Sequence, residues 1–115
     1  MLINTSCSTH QSEDIVKPEK FIPKEEFLEI MIDVRLVETV IRQKISLGGD
    51  IRELTRYYYK DLFTKHNIDK EQLNANVEYY ASFPDEMADI NEQIVEYLSE
   101  LESEVKEQKH IEKGE

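Results

Sequence analysis

Residues 27–49 read FLEIMIDVRLVETVIRQKISLGG, and the fold turns on how this stretch is read. Phe27, Ile30, Val34, Val37, Ile41 and Ile45 recur at steps of three and four, the period that gathers side chains on one face of an α-helix. Leu28, Ile32, Leu36 and Val40 form a second apolar stripe opposite the Val34 side. A helix that is apolar on two sides is covered on two sides, so helix one is expected at the centre of the fold. Pro23 suits its first turn, where a missing N–H would be an orphan in any case. Gly48 and Gly49 end it by supplying the left-handed conformation of a C-terminal cap.

The same period continues outward. Asp50 with Glu53 reads as a capping box that opens helix two, with Ile51, Leu54, Tyr58 and Leu62 as its core positions and Asn67 closing it. Asp69 with Gln72 forms another box, and Ile68 and Leu73 occupy the two places of a hydrophobic staple, so helix three runs from there to about Ala81. Ser82, Phe83 and Pro84 break the pattern, and Asp85 and Glu86 put negative charge in the first turn of helix four. That helix carries one stripe, Met87, Ile90, Ile94, Tyr97, Leu98, Leu101 and Val105, and a charged back, which places it outside, against one side of helix one. Helices two and three are expected to cover the other side. Residues 1–22 are polar or mixed in charge, interrupted by Pro18, and read as a disordered tether. The bundle is expected over residues 23–108, with a frayed tail at 109–115. No β-alternation lasts more than a few residues, so the fold class is all-α, a small bundle of four helices.

Composition narrows the function. With 115 residues, 14 basic against 25 acidic side chains and a formal charge of −11, the chain is one domain whose field repels nucleic acid and anionic lipid. Its 39% hydrophobic content fills a small helical core, not a large catalytic fold. The single cysteine, Cys7, makes no internal disulfide, and no stretch approaches the roughly 20 apolar residues of a spanning helix.

Three segments resemble a known family. They are Pro18 to Pro23 with Phe27 to Glu38, then His66 to Leu73, then Tyr79 to Pro84 with Ile94 to Leu98. Together they are similar to the small lipoproteins of Bacteroidota grouped as domain of unknown function 4296, over about Lys17 to Glu102. The resemblance brings no catalytic residues. What it implies is export, with Cys7 as the lipid-modified first mature residue. Small residues precede Cys7 and a Ser/Thr-rich stretch follows it, as in a lipobox, but a signal peptide needs a charged start and an apolar run of about 7–15 residues, and only Leu2 and Ile3 stand there. Either the true start lies upstream, or the protein is not exported and Cys7 is an ordinary tail thiol. A lipid on Cys7 would leave residues 8–22 as a spacer able to reach on the order of 50 Å.

Few positions suggest chemistry. Glu38 points, by its angle, into the Val34, Ile41 and Ile45 stripe, so it is expected to be an inward carboxylate partnered by Tyr58, Tyr80 or Arg56. Tyr59 and Phe63 pair at i, i+4 away from Tyr58, and Tyr79 points away from Leu73 and Val77. These three aromatics form a candidate partner patch, with ordinary packing as the competing reading. His10, His66 and His110 are scattered; Glu107 and His110 make one Glu-x-x-His spacing where a di-iron bundle needs two with two further glutamates, so no metal and no cofactor is expected. The resulting expectation is a non-catalytic helical protein-interaction module of the cell envelope, such as an accessory of an outer-membrane protein complex, touching the membrane only through a lipid on Cys7. A cytosolic adaptor or regulator without lipid, and a ligand or enzymatic pocket around Glu38, are the alternatives.

Overall fold

The computed structural model describes residues 15–114, and among them it contains four helices and no strand. These are α1 (Lys24–Ser46), α2 (Ile51–His66), α3 (Lys70–Ala81) and α4 (Pro84–Glu112). The fold is an all-α bundle. Each boundary follows from local chemistry. Pro23 is the extended residue just before α1, and its carbonyl accepts from Phe27 N–H at 2.8 Å. At the other end Gly48 takes φ of +97° while Gly49 N–H donates to the Lys44 carbonyl. A Cβ on Gly49 would meet that same carbonyl oxygen at 2.9 Å and Leu54 Cδ1 at 2.8 Å, so neither glycine is replaceable without strain. Asp50 accepts from Arg52 N–H and Asp69 from Gln72 N–H, which caps α2 and α3, and Asn67 closes α2 in the left-handed conformation.

The core is one cluster. Phe27, Ile30 and Val34 of α1 meet Leu62 of α2, Leu73 and Tyr80 of α3, and Ile90 and Ile94 of α4. α1 packs against both α2 and α4, the central position its two stripes predicted, although Leu28, Ile32, Leu36 and Val40 are only half-buried. The placement of α3 differs from expectation. It packs on α4, its neighbour across the short Ser82–Phe83 turn, and meets α1 where Tyr80 stacks on Phe27, without packing closely beside α2. α2 and α3 therefore diverge, and a groove lies between them.

What draws α3 to its place is the segment just before α1. Ile22 is 1% exposed, so its backbone N–H and C=O are out of water with no helix or sheet to receive them. Side chains of α3 take that role. Ile22 N–H donates to Asn76 Oδ1 at 2.8 Å, Asn76 Nδ2 donates to the Lys20 carbonyl at 3.0 Å, and Tyr80 Oη donates to the Ile22 carbonyl. Gln72 Nε2 reaches the Lys20 carbonyl as well, at 3.3 Å. Asn76 is completely buried, and its second amide hydrogen goes to the Gln72 carbonyl of its own helix. Phe21 stacks on Tyr80 and meets Tyr79 edge-on, and Lys17 lies over the Phe21 ring. Fully burying a side chain the size of Ile22 contributes about 1.5–3 kcal/mol.

Three expectations are thereby corrected. The tether of residues 1–22 is shorter, because residues 20–22 are already built into the fold; residues 1–14, Cys7 among them, lie outside the described residues. Ile51 is 60% exposed and Tyr58 half-buried, since α2 buries only its C-terminal half, where Leu62 reaches the core. α4 continues as a helix to Glu112, into the tail expected to fray at 109–115, but Tyr97 and Val105 on its stripe are exposed. The core cluster reaches no farther along α4 than Leu98, so the end of the stripe lies beyond the core.

Asn76→Ala leaves the buried Ile22 N–H without its acceptor and takes one of two donors from the Lys20 carbonyl, and should cost roughly 1–3 kcal/mol, read as a lower urea midpoint at unchanged slope. Asn76→Asp, with the same shape, should also destabilise, because it loses both donors and buries a charge. A change within about 0.5 kcal/mol for either variant would mean that the Lys20–Ile22 segment is not held by this amide.

Candidate functional site

The groove between α2 and α3 has a volume of about 1020 Å³. Met31 and Val34 of α1 form its floor, Tyr59 and Phe63 line the α2 wall, and Leu73 and Val77 line the α3 wall. These apolar groups sit at i, i+4 on each wall, so both helices turn one stripe toward the opening. Lining positions run from Thr55 to Asn67 along α2, about 18 Å at 1.5 Å per residue. The rim is cationic. Arg56, Lys60 and Lys70 border the groove, and among the described residues no acidic side chain lines it.

The candidate residues distribute unevenly around this feature. Tyr59 and Phe63 belong to it, with ring centroids 5.9 Å apart. Tyr79 does not join them. Its ring packs among Phe21, Tyr80 and Phe83, with centroids 5.1–5.4 Å away, so it serves the docking of the pre-α1 segment. The patch of three aromatics is therefore two separate places, because α3 turns Val77 toward the groove and Tyr79 toward the segment before α1.

Glu38 is not inward. It is exposed, and its carboxylate accepts from Tyr59 Oη at 3.3 Å, not from Tyr58, Tyr80 or Arg56. The angle assigned to it is close to that of Met31, and Met31 faces the groove; that side of α1 opens to solvent because α2 and α3 do not close over it. Burial raises the Tyr59 hydroxyl above its ordinary pKa of 10.0, and the charge and hydrogen bond of Glu38 add to the shift. Glu38→Gln keeps an acceptor at this exposed place, so its stability should stay within about 0.5 kcal/mol of the parent in thermal unfolding.

The inward-leaning carboxylate is instead Asp33. Its side chain is 22% exposed and lies 2.6 Å from His66 Nε2 and 2.8 Å from Lys65 Nζ. Burial pushes the Asp33 carboxyl up, yet the hydrogen bonds and charges of Lys65 and His66 outweigh it and hold the group below the ordinary 3.8. An ionised carboxylate only accepts, so His66 Nε2 carries the hydrogen. Asp33 stands inside an apolar run, Met31-Ile32-Asp33-Val34, which is the sequence signal that could have marked it. The arrangement ties the last turn of α2 to α1. It belongs to one wall's foundation and does not line the groove.

Among the described residues no group of three or more His, Cys, Asp or Glu side chains could hold a metal ion, and no helix is long and apolar enough to cross a membrane. Because the folded Asp33 pKa lies below its unfolded value, its stabilisation is fully present above pH 3.8 and is lost as pH falls through the lower folded value. Asp33→Asn should therefore cost roughly 1–2 kcal/mol at neutral pH, most of it through the sheltered His66 contact, with the gap to the parent closing in strong acid. Urea unfolding of both proteins at neutral pH and below pH 3.8 reads this directly; a gap that is constant across the range contradicts it.

Neither the curated proteins nor the solved structures provide a match to this chain. The model of one family does match, over residues 18–104, and this span takes in the clamped segment, both walls of the groove and α4 as far as it touches the core. By that match the chain belongs to the family described as Domain of unknown function (DUF4296).

Proposed function

We propose that this protein is a non-catalytic helical module that binds another protein through the groove between α2 and α3, held at the cell envelope by a lipid on Cys7. The observation that carries the reading is the groove itself. Tyr59, Phe63 and Val77 are half-buried along two helical walls, above the buried Leu73, with part of their apolar surface open, and apolar surface of this kind is what a protein partner buries. Tyr59 adds a rigid ring with a polar tip, a residue type enriched at such interfaces. The lipid is supported by sequence context alone, the small residues before Cys7 and the Ser/Thr-rich stretch behind it. A tether to a membrane also suits a domain of charge −11, which would not adhere to an anionic surface by itself. An envelope protein complex is the setting in which such an accessory would act.

Two experiments test this. A photo-crosslinking residue at Asn74, an exposed position lining the groove, should give one discrete protein adduct in the cells that make the protein, whereas the same residue at Glu96 on the back of α4 should not. Cys7→Ala should move the protein from the membrane fraction to the soluble fraction. Equal labelling at both positions removes the groove from the reading, and an unchanged membrane fraction removes the anchor.

A further inference from the structure

Resting on the reading of the groove as a protein-binding face, we infer that its occupant is an amphipathic helix with an apolar stripe flanked by acidic side chains. Charge is the first argument. The chain carries 25 acidic and 14 basic residues, so an average surface groove would be bordered mostly by carboxylates. This one is bordered by Arg56 and Lys60, one turn apart on α2, and Lys70 at the start of α3, all exposed, against the carboxylate of Glu38, which is tied to Tyr59 at the α1 edge. Three cations against one carboxylate leave the rim of this apolar slot net positive on an anionic protein, which favours a ligand that is apolar in the middle and negative at the edges over a basic one.

Shape is the second argument. The groove is walled by two helices that diverge, is floored by a third, and stays open along one side. An acyl chain seated there would keep one side in water, because the slot is open along its length. A helix would not, because its polar back faces solvent while residues at i, i+3 or i+4, and i+7 reach Met31, Tyr59, Phe63 and Leu73. The length along α2, about 18 Å, admits roughly three helical turns. A helix in this slot would be the element that α2 and α3 lack between them.

The test uses stapled peptides of about three turns with leucines on one face, one flanked by glutamates and one by lysines, and fluorescence anisotropy with the full chain. The Glu-flanked peptide should bind at least about tenfold tighter than the Lys-flanked one, with the difference shrinking in high salt. Lys60→Glu combined with Lys70→Glu, at exposed positions and with helical content checked by circular dichroism, should invert the preference. Equal binding of both peptides would overturn the acidic occupant while leaving the groove as a docking face. If neither peptide binds, the inference and the groove reading both fall. Two other results also overturn it: oleate binding with no peptide competition, which would give the slot to a lipid, and a dimer dispersed by the charge-reversed variant, which would give it to a second copy.

Discussion

A single buried amide, the side chain of Asn76, makes the polar joint between α3 and the segment that leads into α1. α1 packs with α2 and α4, and α3 packs with α4, so the direct bond between the beginning of α1 and α3 runs through the Lys20–Ile22 backbone. A buried peptide unit cannot remain unpaired, and Pro23 immediately after it has no N–H to offer a local alternative. Asn76 supplies an acceptor and a donor in one planar group, a combination that an aliphatic side chain or a carboxylate lacks. Tyr80 completes the pairing and stacks on Phe27, with ring centroids 4.3 Å apart, which couples the polar clamp to the hydrophobic core.

The clamp also explains the groove. Once α3 is held against the segment that precedes α1, its Leu73, Asn76 and Tyr80 stripe is committed there and to the core, and Val77 is left facing α2 across an opening. Asp33 fixes the other wall by gripping Lys65 and His66 in the last turn of α2. The two walls are thus anchored separately, each to its own polar contact on the chain around α1. Surface pairs such as Lys24 with Glu86 and Asp89 add little to this, because their charges stay in water.

The helices were legible because their signals are local. Apolar spacing, Asp50 and Asp69 as caps, Asn67 and Gly48 as left-handed stops, and Pro84 at the start of α4 each act within a turn or two, so reading them requires no knowledge of neighbours. Interior positions were legible only where a partner exists. Ile90 and Ile94 are buried as their stripe implies, yet Val105 on the same stripe is exposed, since the core cluster reaches no farther along α4 than Leu98. Glu38 was misplaced for a related reason: its direction on α1 was sound, but that direction leads to a groove. Asn76 could have been suspected, as it stands between Leu73 and Tyr80 at i+3 on the inward face of α3, where an amide has no place unless a backbone meets it.

By itself the sequence determined an all-α chain of four helices, their ends, a two-sided α1 and a strongly acidic exterior, because periodicity, capping and charge are properties of neighbouring residues. Tertiary structure decided that α3 joins α4 and not α2, that Tyr79 parts from Tyr59 and Phe63, that Asp33 and not Glu38 is the sheltered carboxylate, and that three cations border one apolar groove. Those outcomes depend on residues far apart in the chain meeting, Asp33 with His66 and, above all, Ile22 with Asn76, where an unpaired peptide group would otherwise be stranded without water.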